Sequence, residues 1–155
     1  MPNDDKLKSG ISVNSVKPMA AVIYAAAADQ DTKMKHYVAS TMVNRWKSGK
    51  KEFGADTGSM LDVINKEGQY YETKSKLYED FMNNKFPNED AKMNGMESMS
   101  IASAMMRGSL EPMPGEFWFS EDEKNKLIKK KSFDFKKVKS LGKIGKDNKF
   151  EMFSY

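Results

Sequence analysis

Tyr24, Gln69 and Tyr70 are side chains whose types suit a carbohydrate, because aromatic rings stack on the C–H faces of sugars and amides bond to hydroxyl groups. Cleavage of a glycosidic bond also needs a carboxylic acid that protonates the leaving oxygen. Such an acid works best where apolar neighbours raise its pKa and keep it protonated. The carboxylates to consider nearby are Asp29 and Glu72.

Three short motifs follow one another in a distinctive order. They are Ile23-Tyr24-Ala25-Ala26-Ala27, Val43-Asn44-Arg45, and Val63-Ile64 followed by Gln69-Tyr70. This order resembles the spore-cortex-lytic type of bacterial cell wall hydrolase, which cuts the glycan strands of peptidoglycan. In that family the motifs read Ile/Val-Tyr/His-Gly-Glu-Ala, Val-x-Asn-Arg, and Val-Ile followed by Gln-Phe. The resemblance covers roughly residues 18–153 and includes Lys143-Ile144-Gly145.

The resemblance implies a lysozyme-like helical domain that acts as a muramidase or lytic transglycosylase. Enzymes of this family rely chiefly on one Glu, which donates a proton and then recovers one as the hydroxyl of muramic acid closes an anhydro ring. That Glu corresponds to Ala26, so the chain as written lacks the donor and is expected to be inactive. The family glycine is Ala25 here, and a histidine near the C-terminus is missing.

The resemblance also assigns substrate-binding residues. Tyr24 corresponds to the aromatic residue beside the catalytic Glu, and Gln69 with Tyr70 corresponds to the pair that lines the sugar groove. Glu72 lies just after this pair and could face position 26 across a cleft. Asp29, three positions after Ala26, would lie nearly on the same helical face. Either carboxylate is an alternative acid, although both also fit a solvated surface.

Three polar residues of the second motif region are assigned structural roles. Asn44 and Arg45 end a helix, where buried polar bonds would position the groove loop. His36 is the only histidine, which excludes a metal site built on two histidines and leaves a Ser-His-Asp set dependent on this one residue. We expect no metal and no cofactor.

Ala26 has two explanations. Glu to Ala removes an acid, adds no bulk and preserves helix propensity, so an inactivated variant of a bacteriolytic enzyme is favoured. The alternative is a natural, catalytically dead protein that binds peptidoglycan without cutting it. A different class of function, a basic helical module for interaction or nucleic-acid binding, also stays open.

The composition limits the setting of the protein. The chain has 155 residues and no cysteine, so stability must come from packing rather than from disulfides. No apolar run is long enough for a membrane span, and the polar start is not a signal peptide. We expect action at the bacterial cell wall or periplasm after delivery by lysis or a secretion machine. An antibacterial role would bring an inhibitor or immunity protein as a partner.

The net charge of +4 conceals a strongly basic segment. Residues 124–149 contain eleven lysines and only two acidic residues, Asp134 and Asp147. Such a segment could meet a polyanion, or it could be a solvated face. Because arginine is almost absent and no nucleic-acid motif is present, sequence-specific DNA recognition is not expected.

Helical spacing of apolar residues predicts a mainly α domain over residues 15–155, after a flexible arm over 1–14. The first helix starts near Ser15, and its alanines favour helix through Ala28. Further helices are predicted over 32–46, 59–65, 73–84 and 88–108, with Leu77, Met93 and Met96 among the inward residues. Aromatic alternation predicts strands at 116–120, 133–135 and 149–153. The fold class is therefore mainly α (α+β), with a small C-terminal antiparallel sheet.

Overall fold

Helix α1 (Val16–Ala27) lies at the centre of the molecule, as seen in a computed structural model that describes residues 10–155. Alanine favours helix, and its small side chain allows neighbouring helices to approach closely. Most of α1 is buried. Four helices contact it: α2 (Thr32–Ser48), α3 (Met60–Asn65), α4 (Lys76–Met82) and α5 (Glu89–Arg107).

The helices begin and end at local signals. A polar residue before each of α2 to α5 accepts a hydrogen bond from a backbone N–H of the first turn, namely Asp31, Ser59, Ser75 and Asn88. Gly49 and Gly108 follow α2 and α5 with positive φ, which suits glycine because it has no Cβ. The helices predicted over 32–46, 59–65 and 88–108 are thereby confirmed. The predicted helix over 73–84 is divided into the short helical turn Tyr71–Lys74 and α4, because Ser75 caps a new start.

The C-terminal part forms a three-stranded antiparallel sheet in the order β1-β3-β2. After β1 (Phe117–Ser120) comes α6 (Glu121–Lys130), whose start is fixed by a capping box between Ser120 and Glu123. The other strands are β2 (Lys139–Ile144) and β3 (Phe150–Ser154). The strands predicted at 116–120 and 149–153 are confirmed.

The strand predicted at 133–135 is wrong. The Asp134 side chain accepts a hydrogen bond from the backbone N–H of Lys136, which turns the chain instead of extending it. The rings of Phe133 and Phe135 then pack against Phe119 of β1, with centroid separations of 5.2 and 5.9 Å. These alternating aromatics therefore cover the sheet rather than join it.

Three residues predicted to face inward are exposed: Leu77, Met93 and Met96, at 43%, 65% and 63%. The buried side of α5 includes the small residues Gly95, Ser98 and Ala102 instead. Small residues let α5 lie close to α1, so the helical face that carries Met93 and Met96 is not the one that packs.

The fold class is confirmed as a mainly α domain with a small C-terminal antiparallel sheet. Most of the predicted N-terminal arm lies outside the described residues. In the part that is described, Ile11 is buried, so the chain is anchored to the core before α1 begins. None of the helices in residues 10–155 combines the length and apolar character that crossing a bilayer requires.

Candidate active site

Ala26 is the next-to-last residue of α1 and is partly buried against the core. A carboxylate at this position would lose part of its hydration, which raises a carboxyl pKa. It would also lie at the C-terminal end of a helix, where unpaired carbonyl oxygens disfavour negative charge. Both effects would raise the pKa of a glutamic acid at position 26, which is the direction that a general acid requires.

A buried lysine fixes the turn that follows α1. The Lys35 ammonium donates to the backbone carbonyl of Gln30 at 2.9 Å and pairs with the Glu97 carboxylate at 3.0 Å. The Gln30 side-chain oxygen in turn accepts a bond of 2.8 Å from the backbone N–H of Lys146. The end of α1 is therefore held between α5 and the segment that leads into β3. Sequence reasoning missed Lys35, although its place between Met34 and Val38 on the apolar side of α2 was a signal.

Asp29 does not share a helical face with Ala26, because α1 ends at Ala27. Its side chain is exposed and lines a cleft together with Gln30, Asp147 and two lysines, Lys146 and Lys149. A general acid is favoured where apolar neighbours surround the carboxyl group, whereas this side chain is exposed among charged residues. The environment of Asp29 therefore fits an acid catalyst poorly.

Arg45 is buried at the C-terminal end of α2 and joins three parts of the chain. Its Nε donates to the Glu116 carbonyl oxygen at 2.8 Å, and its Nη1 lies 3.4 Å from Oε1 of Gln69. The guanidinium stacks on Tyr70, with 4.4 Å from Cζ to the ring centroid, and also faces Phe53. Arg45 thus holds the Gln69-Tyr70 segment in position from the interior of the protein.

Asn44 holds the loop that leads into β1. Its side-chain amide donates to the carbonyl oxygens of Met113 and Gly115, at 2.7 and 2.8 Å. Ser40 accepts a bond of 2.8 Å from the backbone N–H of Met113. Hydrogen bonds of this kind are expected of residues that position a loop, which is the role predicted from the sequence for Asn44 and Arg45.

The aromatic residues assigned to sugar stacking are buried. Tyr70 is 3% exposed, and its hydroxyl lies 3.1 Å from the Thr41 hydroxyl. Tyr24 is 2% exposed and packs against Phe81 and Phe86, with ring centroids 5.3 and 5.7 Å away. Burial raises the pKa of both tyrosines. Neither ring offers a free face, so the sequence-based stacking roles of Tyr24 and Tyr70 are not supported.

Other aromatic side chains near Tyr70 are accessible. Tyr71 is 73% exposed at the start of the short helical turn, and Trp118 is partly buried with its ring centroid 6.1 Å from that of Tyr70. Neither was named as a candidate site residue from the sequence. The aromatic run 117–119 was a signal for Trp118, but which of its rings is accessible depends on the fold.

Glu72 has the most acid-like environment among the carboxylates assigned from the sequence. It lies in the turn Tyr71–Lys74, which contacts α1. Burial raises the pKa of Glu72, and the neighbouring charge of Glu123 adds to the effect, while a hydrogen bond from its own backbone and the charge of Arg45 oppose it. The raised pKa favours the protonated carboxyl group relative to a free glutamate, and either form can bond to a sugar hydroxyl.

His36 has a structural contact. Its Nε2 lies 2.7 Å from the Glu111 carbonyl oxygen, which ties α2 to the loop after α5. Within residues 10–155 no group of three or more histidine, cysteine or acidic side chains could hold a metal ion.

Comparisons with known proteins find no match for this chain, whether among protein-family models, curated proteins or solved structures.

Proposed function

We propose that this chain is the catalytic domain of a peptidoglycan-degrading glycosidase in which Ala26 occupies the place of the general acid. The observation that carries the proposal is the position of Ala26: partly buried, near the C-terminal end of a central helix, in a setting that would raise a carboxyl pKa. The order of the three motifs along the chain resembles that of bacterial cell wall hydrolases, and this resemblance indicates peptidoglycan as the substrate. The chain as written is then inactive, and its parent carries glutamate at position 26.

One carboxylic acid serves both steps of the proposed reaction, first as a proton donor and then as a proton acceptor. The acid protonates the glycosidic oxygen, which leaves as an alcohol. The resulting carboxylate then takes the proton of the muramic acid hydroxyl as that oxygen bonds to the anomeric carbon and closes the anhydro ring. If water attacks instead, the product carries a reducing end and the enzyme is a hydrolase.

The substrate contacts are assigned to groups that combine polarity with access. Glu72 and the amide of Gln69 would bond to sugar hydroxyls, while Tyr71 and Trp118 would supply ring faces. Asn44, Arg45 and the buried Tyr70 position these groups. The proposed partner is the glycan strand of peptidoglycan.

Ala26→Glu is the direct test. The variant should reduce the turbidity of purified peptidoglycan sacculi, since losing a general acid lowers the rate by about two to four orders of magnitude. Mass spectrometry of the fragments assigns the reaction, because anhydro-muramic ends indicate a lytic transglycosylase and reducing ends a hydrolase.

Ala26→Gln is the matched control, because it fills the same space without a titratable proton and should stay inactive. Glu72→Gln in the restored Ala26→Glu background should weaken substrate binding. A folded Ala26→Glu variant that cuts no sacculi would contradict the proposal. Cleavage by the chain as written would move the catalytic role to another carboxylate, with Glu72 examined first.

Binding of a polyanion is a second candidate, favoured by the exposed lysines of α6, β2 and the turn Phe135–Lys137. Of the eleven lysines in residues 124–149, only Lys124 and Lys143 form an ion pair within the described residues, and both pair with Glu151. Replacing Lys129, Lys130 and Lys131 with glutamine should weaken binding to sacculi or nucleic acid mainly at low salt, since exposed charges are screened. Salt-independent binding would argue against this role.

A further inference from the structure

An apolar groove lies between α4 and α5, away from the candidate active site. Four large apolar side chains line it, two from phenylalanines and two from methionines of α5: Phe81, Phe86, Met96 and Met99. Its volume of about 490 Å³ is within the usual range of small-molecule sites. Lys17, which also lines the groove, and Ala26 both belong to α1 and lie about 13.5 Å apart along the helix axis, given a rise of 1.5 Å per residue.

Packing gives the groove a rigid wall. The ring of Phe86 stands edge-on to Phe81 and Tyr24, with interplanar angles of 88° and 90°. Phe86 can lie this close to α5 because Gly95 has no side chain; a Cβ there would lie 2.7 Å from Cε1 of the Phe86 ring. Glycine inside a helix lowers stability by about 1 kcal/mol relative to alanine. The contact between Phe86 and α5 therefore depends on a residue that is unfavourable in a helix.

The charged side chains that line the groove are both lysines. Lys17 and Lys92 form no ion pair within the described residues, and the Lys17 ammonium donates to the neutral Asn84 Oδ1 at 3.2 Å. A positive rim around an apolar interior complements a ligand with an anionic head and an apolar body. Neutral sugars would find few polar partners on walls made of phenylalanine and methionine.

We propose that the α4–α5 groove binds a small amphipathic anion, with its apolar part against Phe86 and Met96 and its anionic head between Lys17 and Lys92. Methionine suits such a site, because its flexible thioether adapts to apolar ligands of different shape. The proposal is independent of the reaction proposed above.

Titration of the full-length protein with decanoate, followed through the methyl signals of ¹³C-labelled methionine, tests the site. Met96 and Met99 should shift saturably, while the signal of Met93, which is exposed on the same helix but does not line the groove, should stay unchanged. Decanol, which lacks the charge, should bind about fivefold more weakly, as expected for loss of a partly exposed charge interaction.

Two variants of α5 sharpen the test. Met96→Glu places a carboxylate on the groove wall and should abolish decanoate binding, whereas Met93→Glu adds the same charge outside the groove and should preserve it. Lys92→Gln should reduce decanoate affinity by about twofold, because Lys17 remains, and leave decanol binding unchanged.

Three results of the decanoate titration would overturn the proposal. They are equal binding of decanoate and decanol, shifts spread evenly over the methionines, and the absence of a saturable shift. Binding of an acidic apolar peptide without any binding of decanoate would also overturn it, because it would identify the groove as a protein-docking surface.

Discussion

Replacing Arg45 with methionine is expected to lower the free energy of unfolding by about 3 kcal/mol. Its Nε bond to the Glu116 carbonyl is worth about 1.5–3 kcal/mol because the donor is charged. Stacking on the buried Tyr70 ring at 4.4 Å contributes about 2 kcal/mol. Part of the lost stabilisation is offset, because burying methionine avoids the desolvation cost of burying a guanidinium group.

Urea denaturation of the Arg45→Met variant, monitored by far-UV circular dichroism, measures the loss. For a domain of this size about 3 kcal/mol corresponds to a fall in melting temperature of about 10 °C. Arg45→Lys should give a smaller loss, since lysine keeps the charge but cannot keep both the Nε bond and the planar stacking. Arg107→Met is the matched control: Arg107 is exposed in the last turn of α5, so its replacement should change stability by about 0.5 kcal/mol.

A loss below about 1 kcal/mol for Arg45→Met would refute this reasoning, because it would mean that the bonds to Glu116 and Gln69 add nothing beyond the desolvation they require. A variant that keeps its stability but loses activity in the Ala26→Glu background would instead show that Arg45 acts on the substrate site rather than on the stability of the fold.

The pKa of Glu72 is raised in the folded chain, so the stability it contributes is full in acid and is lost as the pH rises through its folded-state pKa. Glu72→Gln should therefore match the parent in urea stability at about pH 4 and exceed it at about pH 7; equal stability at both would contradict the burial of this carboxyl. The pKa of Glu151 shifts in the opposite direction, because the hydrogen bond from Ser140 and the contacts with Lys124 and Lys143 lower it. Glu151→Gln should therefore destabilise the protein near neutral pH, and this loss of stability should disappear on acidification. Gly95→Ala should destabilise the protein despite the higher helix propensity of alanine, because the new Cβ meets the Phe86 ring. In a Phe86→Leu background the same change should become neutral or stabilising, and a loss of equal size in both backgrounds would show that Phe86 is not the cause.

Much of the fold could be predicted from the sequence because its signals are local. Capping by Asp31 or Asn88 and termination at Gly49 depend on atoms within one helical turn, so the bounds of α2 and α5 can be read directly. The alanines of α1 likewise act through intrinsic helix propensity. Position 26 near the end of this helix was therefore available to sequence reasoning.

The candidate site was predictable only in part. The motif residues Asn44 and Arg45 lie near the C-terminal end of α2, where a positioning role could be inferred from their place in the helix. The access of an aromatic ring could not be inferred in this way: Tyr70 is covered by Arg45 and Thr41, whereas its neighbour Tyr71 is exposed. A tyrosine in a sugar-binding motif looks the same in sequence whether its ring is free or buried.

Tertiary structure alone decided the features that depend on residues far apart in the chain. Phe133 and Phe135 alternate as in a strand, yet they cover the sheet because Phe119 and Phe153 offer an apolar surface there. The pKa of Glu72 depends on burial and on the charges of Arg45 and Glu123, which no local pattern contains. Backbone propensity and capping act within one helical turn, so they can be predicted from the local sequence. Burial and electrostatic environment depend on which residues distant in the chain come into contact, so they are determined by the tertiary structure.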